Sequence, residues 1–179
     1  MILDSNITGA SIDLKTLSCK DASKAYLDWL NDPSINAFLE VRRNPPKSIE
    51  DLDIFINNCI ESENDLLIGI FTKENKHIGN IKILFNWENL RCEVGIIVGD
   101  KNFWGMGIAT QGIRLVTNYL IKETNIKKII AGLYKQNIGS QKAFEKAGFE
   151  LEGVFKNYWY FNGESSDQSF YSFNRGSKC

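Results

Sequence analysis

The sequence predicts a single domain of mixed α/β (α+β) class, with one central sheet and helices on its faces. Two observations carry this. Three strand-like runs, Leu66 to Thr72, Ile78 to Phe85 and Cys92 to Val98, are joined only by the polar connectors Lys73 to Lys76 and Asn86 to Arg91. That is the pattern of a mostly antiparallel meander. Segments of helical periodicity lie before and after it, giving the order β-α-α-β-β-β-α-β-α-β-β with no repeat, linker or low-complexity tract over residues 1–179.

The elements follow from local chemistry. Ala10 to Leu17 alternates loosely and suits a first strand. Ser18 to Asp21 has the capping-box pattern, with Ala22, Ala25, Tyr26, Trp29 and Leu30 behind it at helical spacing. Pro33 ends that helix by disfavouring a helical Asp32, and a short helix is expected from Pro33 to Leu39. The loop Val41 to Lys47 holds two adjacent prolines. Ser48 to Asp51 is a second capping box, opening a helix with Leu52, Phe55, Ile56, Cys59 and Ile60 on one face. A helix is expected from Ile108 to Lys122, a strand over Lys128 to Tyr134, and a helix from Ser140 to Ala147 stopped at Gly148. Leu151 to Phe161 and Ser166 to Phe173 read as an aromatic hairpin turned at Asn162-Gly163.

Composition limits the function. The chain is 43% hydrophobic and 24% charged with a formal net charge of -1, so no global field draws it to nucleic acid or an anionic membrane. No apolar run approaches the roughly 18 to 20 residues that span a bilayer, and the first residues do not form a signal peptide. The expected compartment is the cytoplasm. Cys19, Cys59, Cys92 and Cys179 are scattered, and with one histidine they make no metal site. His77 reads as a strand-end surface residue, which leaves acid-base work to carboxylates, tyrosines, backbone groups or water.

The most informative stretch runs from Glu93 to Thr110. A strand enters a turn carrying Gly105 and Gly107, and a helix leaves it. Glycines let backbone N–H groups approach a ligand closely, and a helix start favours an anion such as pyrophosphate. A P-loop would need Lys-Ser or Lys-Thr after the glycines, and neither is there. A dinucleotide fingerprint would need a third glycine where Thr110 stands. A coenzyme A turn and a bare strand-to-helix connection without ligand both remain.

A second segment, Asn137 to Phe149, places an Asn before a helix and Gly-Phe at the next strand. Taken with Phe103-Trp-Gly-Met-Gly-Ile-Ala109, and with Leu151-Glu-Gly153 followed by Gly163 and Asp167, it resembles the RimJ/RimL-like branch of the GNAT superfamily of N-acetyltransferases, from about Ile12 to Phe173. The resemblance implies acetyl-coenzyme A as co-substrate, and parallel fourth and fifth strands that splay apart. The pantetheine arm would lie in that V against Ile96, Ile97 and Val98. Phe103, Trp104, Gly105, Met106, Gly107, Ile108, Ala109 and Thr110 would hold the pyrophosphate, with Asn137 and Ser140 near the thioester. Two departures stand out. Asn102 occupies a position where many members carry Arg or Gln, and Phe144 replaces the usual Tyr acid.

Acetyl transfer needs a deprotonated amine, hence a base. Glu93, at the start of the fourth strand, is the candidate, with Cys92 and Val94 facing the other way; an exposed strand-end carboxylate is the competing reading. Ser140 and Tyr134 are candidate acids, although a serine near a helix start usually serves as a cap. A backbone N–H of the splayed strand could hold the oxyanion. The acceptor, a small-molecule or peptide amine, would enter opposite the cofactor. It would meet Trp29, Asn31, Glu40 and Arg42 from the early helices and Tyr158 and Tyr160 from the hairpin. For the charged residues solvated surface is the alternative, and for the tyrosines aromatic core or a dimer contact. The resemblance extends to relatives that acetylate nucleotide-linked amino sugars, and the activity that names the branch, acetylation of protein N-termini of the ribosomal-protein type, is the alternative. The expected assembly is a monomer or homodimer, and a non-catalytic coenzyme A-binding module is the reading from a different class.

Overall fold

The computed structural model describes residues 1–161 and 163–176. The strands are β1 (Ile7–Thr8), β2 (Ile12–Thr16), β3 (Asp65–Thr72), β4 (His77–Asn86), β5 (Arg91–Val98), β6 (Lys128–Tyr134), β7 (Glu150–Phe161) and β8 (Glu164–Asn174). The helices are α1 (Lys24–Asn31), α2 (Pro33–Asn36), α3 (Ile49–Glu61), α4 (Ile108–Glu123) and α5 (Ile138–Lys146). One sheet runs in the order β1-β2-β3-β4-β5-β6-β8-β7. Every described pairing is antiparallel except β5 with β6. The fourth strand of the sequence reading is therefore β5, because the two-residue β1 is too short to leave a periodic signal.

Alternation along the strands divides the interior into two layers. Ile81 and Ile83 of β4, Cys92 and Val94 of β5, and Ile129 and Ala131 of β6 face Ile113, Val116 and Leu120 of α4 and Phe144 of α5. The opposite face of β3 carries Leu67 and Phe71, which pack with Tyr26, Trp29 and Leu30 of α1 and Leu52 and Ile56 of α3.

Capping chemistry explains where the helices differ from expectation. The Asp21 carboxylate accepts the Ser18 N–H at 2.8 Å, but this box closes only the 3-10 turn Cys19–Asp21. Extended Ala22 then breaks the chain, and Ser23 caps α1, its hydroxyl accepting the Tyr26 N–H at 3.2 Å. Helix α2 stops at Asn36, short of Leu39, because the Asn36 side chain turns inward to donate to the Leu30 carbonyl at 2.7 Å. A 3-10 turn, Glu40–Arg43, precedes the prolines. Helix α5 starts at Ile138, with Asn137 rather than Ser140 as its cap; the Asn137 side chain accepts the Ser140 N–H at 3.2 Å. Of the two residues expected to turn the hairpin, Asn162 lies outside the described residues and Gly163 stands at φ 83°. Cys179 also lies outside them.

His77 opens β4 as expected, but it is no surface residue. Its ring stacks on Phe71 at 4.9 Å and meets the edges of Tyr26 and Trp29 at 5.6 and 5.2 Å. Nε2 lies 3.0 Å from the Gly79 carbonyl and 2.7 Å from Asn80 Oδ1, which places the proton there. Nδ1 is buried with no partner, and burial lowers the His77 pKa despite the nearby acceptors and Asp21. The neutral ring is favoured by folding, so its stabilisation is complete above the unfolded pKa of about 6.5 and is lost as pH falls further. Melting temperatures measured between about pH 8 and pH 5 should fall through this window, and His77→Phe should flatten the fall.

Candidate active site

The site originates where β5 leaves β6. The parallel ladder has three pairs only, Arg91 with Lys128, Cys92 with Ile129 and Glu93 with Ile130. It is clamped below by the Leu90 carbonyl, which accepts the Lys127 N–H at 2.7 Å. Beyond Glu93, β5 continues against β4 as far as Val98 and β6 continues against β8 as far as Tyr134. The backbone of Gly95 to Val98 is thus left without a strand on its β6 side.

The chain then builds a glycine turn at the open end. Asp100 accepts both the N–H and the Nδ2 of Asn102, at 3.0 and 2.9 Å, so the Asn102 amide is turned into the loop. Asp100 also pairs with Lys76 at 2.6 Å, and Lys101 with Asp32 at 2.6 Å; these ammonium groups hold both carboxyls below their ordinary range. The Trp104 indole donates to the Val98 carbonyl at 2.7 Å, tying the turn to the end of β5. Gly105 and Gly107 adopt φ of 75° and 79°, the left-handed region that disfavours other residues. Gly107 caps α4 with no side chain, so the first N–H groups of that helix have no capping acceptor.

Together these elements enclose a cleft of about 520 Å³. Strand β5 contributes Ile96, Ile97 and Val98; the turn and the start of α4 contribute Phe103, Trp104, Gly105, Gly107, Ile108, Ala109 and Thr110; Asn137 and Ser140 come from α5 and its cap. Met106 is outside the lining, with its side chain 66% exposed. Sequence reasoning missed Ser34, Ile35, Phe38 and Leu39, which close the cleft from α2 and the turn after it. It also missed Lys142 and Lys146 of α5. The lysines were legible as a cationic pair four residues apart on one helix face.

Glu93 sits at the apex. Cys92 and Val94 are buried on the far side, whereas the Glu93 side chain reaches the surface. Its carboxylate nevertheless lies among protein atoms, and burial raises its pKa; the charge of Arg91 and a hydrogen bond from the Gly132 N–H oppose the rise only in part. A recessed carboxylate that water still reaches fits both facts. Of the candidate acids, Ser140 lines the cleft and its hydroxyl is not used for the cap. Tyr134 does not line it; its oxygen accepts from Arg42 Nη2 at 2.8 Å. Phe144 is fully buried against Phe149, so the position of the missing tyrosine is core.

On the Glu93 face of the sheet, aromatic rings and cations converge. Trp159 stacks on Tyr134 at 5.0 Å and 17°. The Arg42 guanidinium lies 5.1 Å from the Tyr134 ring centre and that of Arg43 5.3 Å from the Trp159 ring centre. Asp167 shapes the outer strand. Its carboxylate takes the Asn157 N–H at 3.1 Å and pairs with Lys156 and Lys135, fixing a bulge at Asn157 (φ 52°) that turns Tyr158 towards Phe155 and Phe170.

The acceptor residues read from the sequence are only partly gathered. Arg42 and Tyr158 stand at this face, and Tyr160, 72% exposed, lies beyond them. Trp29 does not: it is buried, with its ring against Gly99, where a Cβ would come within 2.0 Å. Asn31 spends its Nδ2 on the Leu27 and Pro46 carbonyls, both at 2.9 Å, and ties α1 to the proline loop. Glu40 pairs with Arg43 at 3.1 Å and lines a second cavity of about 650 Å³ under the proline loop. That cavity is mostly apolar and contains neither Glu93 nor the start of α4.

Comparison with known proteins agrees with this geometry. The sequence profile of the Acetyltransferase (GNAT) domain matches residues 12–150. The probable N-acetyltransferase YjcK of Bacillus subtilis is 32% identical over 111 residues, 60% of this chain and 61% of that protein. The structure of the microcin C7 self-immunity acetyltransferase MccE, in complex with acetyl-CoA and AMP, superimposes with a TM-score of 0.80 at 26% identity, covering 93% of each chain. RimL, a ribosomal-protein acetyltransferase in complex with coenzyme A, shares the fold at a TM-score of 0.85 and 17% identity over 97% of this chain and 100% of its own. The chain belongs to the GNAT acetyltransferase domain family.

Proposed function

We propose that this chain moves the acetyl group of acetyl-coenzyme A to a primary amine of a small molecule or peptide, and that the acceptor carries an anionic group near that amine. The parting of β5 from β6 just past a recessed carboxylate is the observation that supports the transfer. Acetyl-coenzyme A supplies an activated acyl group whose thiol leaves readily, with a pKa near about 8.5. In this reading Gly95 to Val98 pair with the pantetheine amides, and the N–H groups at the start of α4 bind the pyrophosphate. Lys142 and Lys146 add charge where Asn102 does not. No metal is required by this scheme. On the same reading the protein works in the cytoplasm, as a monomer or homodimer.

Glu93 takes the proton from the acceptor ammonium. The neutral nitrogen forms its bond to the acyl carbon, the carbon–sulfur bond breaks, and the second proton that the nitrogen sheds passes to the departing thiolate, through the Ser140 hydroxyl or water. A carboxylate with a raised pKa is a stronger base than an exposed one. The acceptor's charge is read chiefly from Arg42 over the ring of Tyr134, a cation that repels a polyamine and attracts phosphate or carboxylate; Arg43, over Trp159, is already paired with Glu40. A nucleotide-linked amino sugar fits that description.

Three measurements check this reading. Glu93→Gln should lower kcat by about 10² to 10⁴-fold while coenzyme A affinity stays the same. The wild-type kcat/KM should rise with pH through a step above the ordinary carboxylate value of about 4.3. A flat profile shared by both proteins contradicts the base. Gly107→Ala forces a β-carbon into the left-handed region, so calorimetry should find acetyl-coenzyme A bound about tenfold more weakly. Thiol release measured with spermidine, phosphoethanolamine, glucosamine 6-phosphate, a UDP-linked amino sugar and an alanyl peptide should favour the anionic amines. Preference for spermidine contradicts the acceptor class.

A further inference from the structure

Gln168 of β8 has no part in the scheme above, yet it is built into the same face. It is opposite Tyr134 in the β6–β8 register and only 5% exposed. Its amide lies across Gly132: a β-carbon at residue 132 would come within 2.1 Å of Gln168 Nε2. Glycine at 132 is what makes room for it. Gly132 stands two residues beyond Ile130, the partner of Glu93 in the last pair of the β5–β6 ladder, and on the same face of the sheet, so the amide and the proposed base are neighbours. Gln168 Oε1 is buried and has no hydrogen-bond partner, a costly state for an amide oxygen unless something arrives to fill it. The Nε1 of Trp159, which stacks on Tyr134 on that face, is likewise buried without an acceptor.

We infer that Gln168 holds the reacting amine of the acceptor in front of Glu93, with its side-chain oxygen accepting one N–H of the incoming nitrogen. The inference rests on the proposed acetyl transfer and assigns that reaction a binding residue. An amine needs two directions fixed, one N–H towards the base and the lone pair towards the acyl carbon. A second acceptor at Gln168 fixes the nitrogen's rotation once Glu93 has taken its proton. Leucine has a similar volume but no acceptor, whereas glutamate keeps an oxygen in place.

The test uses the full chain with two readouts. The first is transfer to the five amines named above by wild type, Gln168→Leu and Gln168→Glu, together with acetyl-coenzyme A affinity and melting temperature. Gln168→Leu should raise the amine KM at least tenfold with acetyl-coenzyme A affinity unchanged, and Gln168→Glu should restore most of the loss. The second is the Gln168 side-chain amide resonance of the coenzyme A-loaded protein, which should move when phosphoethanolamine is added. If transfer proceeds and Gln168→Leu lowers only the melting temperature, the oxygen merely holds a buried water and the inference is wrong. If no amine is acetylated but the resonance moves, the proposed reaction fails and the pairing stands. If neither occurs, both fail.

Discussion

The candidate site depends on a parallel ladder that stops after three residue pairs. Each strand satisfies its outer backbone edge with a different partner, β5 with β4 and β6 with β8, so the two can separate without losing the core on either side. The separation leaves backbone hydrogen-bonding groups facing a gap, which is costly in a closed interior and useful in a cleft. Glu93 stands where the separation begins, in the last pair of the ladder with Ile130. That position puts a carboxylate at the point of the V, where burial raises its pKa. Architecture and proposed base are one feature.

The rest of the site is held in register by local chemistry. Ion pairs from Asp32 to Lys101 and from Lys76 to Asp100 connect α2 and β4 to the loop after β5, and Trp104 fastens that loop to the last carbonyl of the strand. Exposed pairs of this kind contribute little stability singly. Their value here is positional, since two left-handed glycines would otherwise give the turn many conformations. On the other face, Asp167 plays the corresponding part by holding the bulge that brings Tyr158 over Phe170.

Much of this could be read from residues alone. The meander β3-β4-β5, the boundaries of β6 and the start of α4 follow from alternation and glycine placement. The cleft lining agrees with the sequence reading at β5, at the turn and at Asn137 and Ser140. What escaped the sequence has physical causes. His77 carries polar atoms that suggested a surface position and Trp29 was read as facing the acceptor, yet their rings pack together with Phe71 and Tyr26 because α1 folds back over the start of β4. Asn31 has an exposed side chain whose donors are claimed by the backbone carbonyls of Leu27 and Pro46, and the contact with Pro46 is a tertiary fact with no local signature. Gln168 was invisible for a similar reason. A glutamine in an aromatic strand looks like a solvent-facing spacer until the residue diagonal to it on the next strand proves to be glycine.

The central claim is that the open β5 edge and the start of α4 together receive one extended ligand, and hydrogen exchange tests it most directly. Amide exchange measured with and without acetyl-coenzyme A should slow at Gly95 to Val98 and at Ile108 to Thr110, while the paired segment Arg91 to Glu93 stays as it was. Slowing confined to other parts of the chain, or no slowing at saturating acetyl-coenzyme A, would contradict the account.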